Sequence, residues 1–301
     1  MIYSVGSIFL DHIIKIDNFP KKPVKVIAQG IEKRLGGSAA VASFTIKKLG
    51  LNTSFIGRLG DDDVSKYLKS ELSKFNIEHK DIIFIKGAQS SQSYVYEDKN
   101  GERLLAAFSE KKLLNNKKLP KIEFTKNTTF VTDLRWVEAT HYIAKNCQKK
   151  KLNQIVDLDN YKLNTKVKQI INLSSHPIFS ETGSFEYTKI KSIIGSLKKM
   201  YSIKNKFYAI TAGNKGVYWI ENGIVFNCKP PKIKVVETNC AGDVFHGAFT
   251  AFIHQKYSMI DSMKFATATA SLKCTKNGGI YSIPTFPSVK NFAKKIQLRK
   301  L

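Results

Sequence analysis

The pattern of hydrophobic and polar residues divides most of the chain into short apolar runs and longer segments with helical spacing. The apolar runs are typical of buried strands and occur at 2–8, 53–57, 129–133, 154–158, 170–173 and 208–211. Segments with helical spacing, such as 36–49 and 62–75, separate most of these runs. Such alternation predicts a parallel-rich sheet covered by helices on both faces. A hairpin over 217–226 and two long helices over 241–255 and 259–275 follow.

Several consecutive strand-like segments interrupt this alternation. Segments 13–17 and 24–31 flank a turn with two prolines, and segments 82–86, 92–97 and 103–108 follow one another without a helix between them. Residues 98–101, with the sequence DKNG, predict a hairpin turn between the last two segments. We therefore predict a single domain over 1–301. It would have a three-layer α/β core and a small β-sheet lid, whose strands come from roughly 12–34 and 82–108.

The composition is ordinary, but the chain is strongly basic. Hydrophobic residues make up 43% and charged residues 24%, as in soluble globular proteins. The formal net charge is +25, and lysines scattered along the chain carry nearly all of the positive charge. Arginine is the residue preferred for bidentate recognition of bases and phosphates, and no RNA-binding pattern of aromatic residues is present. We therefore expect no nucleic-acid partner, and a positive field that favours anionic substrates.

Compartment and membrane association follow from the apolar runs and the cysteines. No stretch approaches the roughly 20 apolar residues needed to span a bilayer, and the first residues lack the basic segment of a secretory signal. The four cysteines show no metal-ligand spacing. We expect reduced thiols, a cytoplasmic location and no membrane partner.

The segment 237–249, with the sequence ETNCAGDVFHGAF, carries the strongest chemical signal. Small residues, including Cys240, lead into a carboxylate at the start of an apolar helix. The backbone amides of Ala241, Gly242 and Asp243 would face forward from a helix N-terminus, which favours an anion such as a transferring phosphoryl group. Asp243 would accept a proton from an attacking hydroxyl beside that group. The simpler alternative is an aspartate that only caps the helix.

This segment resembles the C-terminal signature of the ribokinase-like (phosphofructokinase-B) carbohydrate kinases, Asp-Thr-Thr-Gly-Ala-Gly-Asp-x-Phe-x-Gly-Ala. The resemblance covers essentially the whole chain. It implies an ATP-dependent kinase in which a small β lid closes over a sugar. It also implies ATP and Mg²⁺ as cofactors, and makes a monovalent cation a further candidate.

The resemblance extends to the sugar and nucleotide sites. The opening strand, 6–13, carries Asp11, which inherits a role in binding sugar hydroxyls, and 36–40 resembles the N-terminal signature whose glycines let the sugar approach the backbone. Segments 211–216 and 273–279 resemble the loops that flank ATP. The implied residues are Asp11, Gly36, Gly37 and Val41 for the sugar, and Thr211, Gly213, Gly216, Asn277 and Gly279 for the nucleotide.

Four positions depart from the family pattern. Glu237 replaces the usual Asp and Cys240 replaces a Gly, both beside the predicted anion hole and a monovalent-cation site. Val41 stands where many members have a sugar-binding Asn. The segment 179–183 stands where many have Asn-x-x-Glu, which helps to organise Mg²⁺; Glu181 is the candidate substitute.

Within the family, several segments look most like the sulfofructose kinase branch, which is related to ketohexokinases. They are 90–93 with 101–103, 133–136, 179–181, 243–247 and 272–275. In that branch a lysine of the lid and an arginine approach the anionic end of the substrate, and Lys25 and Arg135 match those positions. A third contact, an asparagine, is replaced by Ala107. Alternatively, Lys25 is a solvated strand lysine and Arg135 forms an ion pair with Asp133 or Glu138.

These observations predict ATP-dependent phosphorylation of a primary hydroxyl of a small sugar. A sulfonated sugar and an uncharged keto-sugar both remain open as the acceptor. The alternatives are a nucleoside kinase of the same family and a non-catalytic sugar or nucleotide sensor. Because exposed lid strands invite pairing with a second copy, we also expect a homodimer through the lid.

Overall fold

The computed structural model describes residues 1–99, 102–159 and 161–301. Its strands, in chain order, are β1 Ile2–Val5, β2 Phe9–Lys15, β3 Gly30–Gly36, β4 Thr53–Ile56, β5 Arg58–Gly60, β6 Ile83–Ile85, β7 Gln92–Glu97, β8 Arg103–Phe108, β9 Thr129–Thr132, β10 Asn153–Leu158, β11 His176–Ser180, β12 Tyr208–Thr211, β13 Val217–Glu221, β14 Ile224–Lys229 and β15 Gln297–Lys300. Its α-helices are α1 Ser38–Lys48, α2 Asp63–Lys74, α3 Lys111–Leu114, α4 Val137–Lys150, α5 Thr165–Leu173, α6 Glu181–Thr188, α7 Ile193–Ile203, α8 Ala241–His254, α9 Met259–Lys273 and α10 Phe286–Ala293.

The central sheet contains nine strands among the described residues. Its order is β15-β14-β13-β12-β11-β10-β9-β1-β4, and the strands from β12 to β4 are parallel to their neighbours. The hairpin of β13 and β14, followed by β15, adds an antiparallel edge. Helices surround this mostly parallel sheet, so the predicted α/β class with a parallel-rich sheet is confirmed.

A second sheet has the order β3-β2-β7-β8, and we call it the small sheet. Strands β7 and β8 lie within the predicted lid segment 82–108, and β2 and β3 overlap the predicted segment 12–34. Strand β6, which was also predicted for the lid, instead pairs with β5 in a separate two-stranded sheet. In β7, Ser93 and Val95 are buried whereas Tyr94 and Tyr96 are exposed, as expected when one face of a sheet packs against the protein and the other does not. The antiparallel pairing of β7 with β8 agrees with the predicted hairpin, although Asn100 and Gly101 of its turn lie outside the described residues.

Two predicted strands are wrong. Residues 170–173 belong to helix α5, because Asn164 caps that helix by accepting from the Val167 amide and the apolar side chains Val167, Ile170 and Ile171 recur at helical spacing. The strand next to β10 is β11 instead. Residues 24–29 are in no strand, and β3 begins only at Gly30.

Helix α8, whose first residues form the predicted anion hole, is packed into the core along most of its length. It is buried from Val244 to Phe252 and packs against α1 and α9. Gly247 allows the close contact with α1, since a β-carbon at this position would lie 2.6 Å from the backbone oxygen of Ala42. The position of the helix start is therefore fixed by tight packing along the rest of the helix.

Candidate active site

The N-terminus of α8 forms an open anion-binding turn. Cys240 precedes the helix in a left-handed conformation, with φ of 59°, and its side chain forms no capping hydrogen bond. The Ala241 amide donates to the oxygen of Thr238 at 3.3 Å, so it is not free as predicted. The amides of Gly242 and Asp243 have no protein acceptor within the described ranges, and a β-carbon on Gly242 would meet nothing within 4 Å. Two free amides therefore lie at the positive end of a helix dipole, and the space beside Gly242 is open.

Asp243 lies among other acidic groups in a largely buried setting. The pKa of its carboxyl is raised to about 7. Burial is the largest cause and the negative charge of Asp157 the next, while a hydrogen bond from the Ser38 side chain and the nearby His246 partly offset both. A carboxyl with a pKa near neutrality suits proton transfer from a hydroxyl better than an exposed aspartate does. The role of Asp243 as a base stays a prediction.

Asp157 and His246 are two charged or titratable neighbours of Asp243, with opposite effects on its pKa. His246 lies one turn after Asp243 in α8, and its Nδ1 is 2.8 Å from the backbone oxygen of Gly242. A carbonyl can only accept, so Nδ1 carries a proton. The other ring nitrogen, Nε2, lies 3.7 Å from Oδ1 of Asp157, and neither atom has a hydrogen-bond partner within the described ranges. Burial raises the pKa of Asp157, and His246 lowers it.

Asp133 organises the opposite side of this site. Its Oδ2 accepts from the Ser7 amide at 2.8 Å, the Ser7 hydroxyl at 2.7 Å and the Ala39 amide at 3.2 Å. Its Oδ1 accepts from the Arg135 amide at 2.9 Å. The carboxylate therefore holds the end of β1 and the start of α1 together.

The sequence interpretation did not select Asp133 or Asp157 as site residues. The available signal was a carboxylate at or just after the end of an apolar strand, where parallel α/β sheets bind ligands.

Asp11 lies on β2 between β3 and β7 of the small sheet. The Ser93 hydroxyl donates to its Oδ1 at 2.5 Å, and burial raises the pKa of its carboxyl to about 6. A β-carbon on the paired strand at Gly36 would lie 2.0 Å from Oδ2 of Asp11, so glycine is required there by a close approach. Asp11 and Gly36, which were both predicted to contact the sugar, are thus in contact with each other.

Gly37 and Val41, both predicted to contact the sugar, lie in different surroundings. Gly37 precedes α1 with a φ of 96°, and its position lies against the backbone of Ser7 and Ile8. Val41 is fully buried in the cluster that contains Ile8. Its side chain has no exposed surface, so the structure does not support Val41 as a direct sugar contact.

The predicted nucleotide residues come from two loops. Thr211 ends β12, and Gly213 and Gly216 lie in the turn before β13. Asn277 and Gly279 belong to the segment after α9, where Asn277 accepts from Arg34 and the Gly279 amide donates to Glu237. Their contacts with ATP stay a prediction.

Glu237 connects several parts of the site. It accepts from Arg34 of β3 at 2.5 Å, from Lys273 of α9 at 3.2 Å, and from the amides of Gly278 and Gly279 at 3.2 and 3.0 Å. Burial alone raises the pKa of this carboxyl, but the Gly279 amide, Lys273 and Arg34 outweigh it and lower the pKa. Glu237 is therefore a buried anion with two cationic partners.

The candidate metal residue is already paired. Glu181 accepts from Lys215 at 2.8 Å, and both side chains are exposed. Across the described ranges, no group of three His, Cys, Asp or Glu side chains is arranged to hold a metal ion. Mg²⁺ is commonly bound by one or two carboxylates together with phosphates, so its binding here stays a prediction and we derive no step through it.

The two predicted anion contacts are both exposed, and Arg135 lines a cavity. Arg135 lines a cavity of about 470 Å³ together with Arg58, Glu138 and Lys166. The Arg135 guanidinium forms no ion pair in the described part of the chain, and Glu138 pairs with Lys166 at 3.3 Å instead. Lys25 lies in the segment before β3 rather than on a strand.

The helix N-terminus with two free amides and a carboxylate beside it, set in an α/β core with a small second sheet, is an arrangement that suits phosphoryl transfer. The model of the pfkB family carbohydrate kinases matches residues 1–286. The chain belongs to this family and is a kinase, as the sequence predicted.

Individual relatives are distant but cover nearly the full chain. A ribokinase from Haemophilus influenzae is 24% identical over 93% of this chain and 94% of its own length. A fructokinase-1 from Oryza sativa subsp. japonica is 24% identical over 95% of each. A nucleoside kinase from Methanocaldococcus jannaschii is 22% identical over 96% of this chain and 95% of its own.

Solved structures share the fold. The structure of an Agrobacterium tumefaciens protein provisionally named a ribokinase has a TM-score of 0.90 at 24% identity and covers 97% of each chain. The structure of Arabidopsis thaliana ribokinase complexed with ribose and ATP has a TM-score of 0.81 at 21% identity and covers 97% of this chain and 98% of that one. No described helix is both long and apolar enough to cross a membrane.

Proposed function

We propose that this kinase transfers the γ-phosphoryl group of ATP to a primary hydroxyl of a small keto-sugar. The observation that carries the proposal is Asp243, a carboxyl with its pKa raised to about 7, beside two free amides at the N-terminus of α8. As the oxygen of the acceptor hydroxyl bonds to the γ-phosphorus, Asp243 accepts the proton of that hydroxyl. The bond from that phosphorus to the bridging oxygen breaks, and ADP leaves with the electron pair.

The remaining residues have distinct roles in this proposal. The amides of Gly242 and Asp243 stabilise the negative charge on the transferring group. Asp11, held by Ser93 and approached by Gly36, accepts hydrogen bonds from sugar hydroxyls. The loops at 211–216 and 277–279 bind the nucleotide. The small sheet covers the sugar, which limits transfer of the phosphoryl group to water.

An acidic keto-sugar, of which sulfofructose is one example, is the finer form of this proposal. The support is the unpaired Arg135 guanidinium in a cavity that also contains Arg58 and Lys166. Arginine binds a sulfonate or carboxylate through two parallel hydrogen bonds. Lys25 is exposed and remains the second candidate for the same anionic group. An uncharged ketohexose is the alternative acceptor and would not require Arg135.

A nucleoside is the second candidate acceptor, because a nucleoside kinase is among the full-length relatives. The deciding experiment measures ADP release from ATP with Mg²⁺ over a panel of sulfofructose, fructose, other keto-sugars, keto-deoxy acids and adenosine. We expect turnover of a keto-sugar and weak or no turnover of adenosine. Adenosine as the best acceptor would favour the nucleoside kinase, and ligand binding without turnover of any acceptor would favour a sensor.

We also propose that the small sheet pairs two copies of the chain. The exposed apolar side chains on the face of Tyr94 and Tyr96 include Ile31, Leu104 and Phe108. An exposed sheet face of this kind is covered in a stable protein by a partner or by another part of the chain. Light scattering after size exclusion should give the mass of a dimer for the wild type and of a monomer for Leu104→Lys.

A further inference from the structure

A buried lysine contacts the segment that leads into the anion-binding turn. Lys273 is the last residue of α9, and its side chain is fully buried. Its ammonium lies 3.2 Å from Oε2 of Glu237 and 3.5 Å from the backbone oxygen of the same residue, and it also donates to the backbone oxygen of Asn239. All three oxygens belong to the segment 237–240, immediately before α8.

Backbone oxygens combined with one carboxylate oxygen are ligands that bind monovalent and other hard cations. If the ammonium were absent, the backbone oxygens of Glu237 and Asn239 would have no other donor among the described residues, and the charge of Glu237 would lose one of its two cationic partners. The chain itself therefore supplies the positive charge that this set of oxygens requires.

The segment that Lys273 holds has a strained backbone. Cys240 adopts a left-handed conformation that glycine tolerates and other residues adopt only when the surroundings impose it. Lys273 binds the oxygen of the preceding residue, Asn239, and the side chain of Glu237. These contacts fix both ends of the segment just before the free amides of α8.

Resting on the proposed function of those amides, we propose that Lys273 is a positioning residue whose ammonium acts as a built-in monovalent cation. It holds 237–240 so that the Gly242 and Asp243 amides face the phosphoryl group. The wild type therefore does not need an added monovalent cation, and loss of the ammonium creates a site for a small one.

The test compares Lys273→Met with the wild type in tetramethylammonium, potassium and ammonium chloride at equal ionic strength. The first readout is thermal unfolding, which does not depend on any acceptor. We expect potassium or ammonium to raise the melting temperature of Lys273→Met relative to tetramethylammonium, and to leave the wild type unchanged. Methionine keeps most of the side-chain length but cannot donate, so a free cation has room and ligands.

The second readout is kcat with the best acceptor of the panel. We expect Lys273→Met to lose about 10²-fold or more, by analogy with the loss of oxyanion-hole donors. Ammonium or potassium should restore part of that loss, whereas tetramethylammonium should not. A wild type that is inactive on every acceptor would count against the proposed function, while the cation-specific melting shift would still test the role of Lys273.

A matched control is available in Lys206, whose ammonium also binds three backbone oxygens, those of Ile171, Asn172 and Ser174. Lys206→Met also removes an ammonium, but one that binds the C-terminal end of α5 and not the anion-binding turn. It should lower stability without a cation-dependent change in kcat. Activation of the wild type by potassium, or the same response to every cation in Lys273→Met, would overturn the proposal. If Lys273→Met does not fold, the wild type still tests the proposal, because its activation by potassium would overturn it.

Discussion

Arg34 and Glu237 join the small sheet to the segment before the anion-binding turn, with Nη1 of Arg34 lying 2.5 Å from Oε1 of Glu237. The two side chains are 10% and 5% exposed, so the pair is largely shielded from water. Arg34 also binds the more exposed Glu32, and Glu237 also binds Lys273. Glu237 stands where the family pattern has Asp, and its longer side chain contacts Arg34 on β3 and Lys273 on α9.

This pair gives the first prediction. Glu237→Gln leaves Arg34 and Lys273 without their shared buried anion, and should lower the free energy of unfolding by about 3 kcal/mol. Glu32→Gln removes the other carboxylate from the same arginine at an exposed position, and should cost no more than about 1 kcal/mol. Urea unfolding followed by circular dichroism measures both. Equal losses in the two variants would show that burial of the Arg34–Glu237 pair does not determine its contribution.

The contact between Gly36 and Asp11 gives the second prediction. Gly36→Ala would place a methyl group 2.0 Å from the present position of Oδ2 of Asp11, so this carboxylate must move. We expect kcat/KM for the sugar to fall by about 10²-fold, as when a binding group is displaced by about an ångström. The KM for ATP should change little.

Gly30→Ala is the control for the second prediction, because it begins the same strand and a β-carbon there would meet nothing within 4 Å. This variant should change stability by no more than about 0.5 kcal/mol and leave the sugar KM as in the wild type. If Gly36→Ala behaves like Gly30→Ala in steady-state kinetics, Asp11 is not a sugar ligand.

The acidic surroundings of Asp243 give the third prediction, which concerns pH. A general base acts in its deprotonated form, and burial together with Asp157 raises the pKa of Asp243 to about 7. The wild-type kcat/KM should therefore rise about tenfold per pH unit below this pKa and level off above it. Asp157→Asn removes the second cause of the raised pKa, so the midpoint of the profile should move to lower pH.

Asp159→Asn is the matched control for the pH profile, since Asp159 follows β10 two residues after Asp157 and is exposed. Its midpoint should stay at the wild-type value. A midpoint that does not move in Asp157→Asn either would mean that Asp157 is neutral in the folded protein and that burial alone raises the pKa of Asp243.

The sequence was informative where local chemistry and distant packing agree. Segment 237–249 predicted a helix start with a carboxylate, and the structure places Asp243 in the first turn of α8. The sheet class followed from the apolar runs because parallel strands buried on both faces read as continuous hydrophobic segments. The strand predicted at 170–173 was wrong because a short apolar run does not distinguish a strand from the buried face of a helix such as α5.

The network behind the anion-binding turn could not be predicted from the sequence. Lys273 is one of many lysines in a basic chain, and only its burial against Glu237 and Asn239 separates it from a solvated one. The partners of Glu237 lie 203 positions away in Arg34 and 36 positions away in Lys273. Contacts over such separations are set by the packing of helices and strands, which local patterns do not encode.

The most direct measurement of the central claim is kcat for Asp243→Asn with the acceptor that the wild type turns over best. Asparagine keeps the shape of the side chain but cannot serve as the base, so kcat should fall by about 10²–10⁴-fold. Asp261→Asn is the control, because Asp261 is likewise the third residue of a helix, α9, and is exposed. A kcat within experimental error of the wild type in Asp243→Asn would contradict the assignment of Asp243 as the catalytic base.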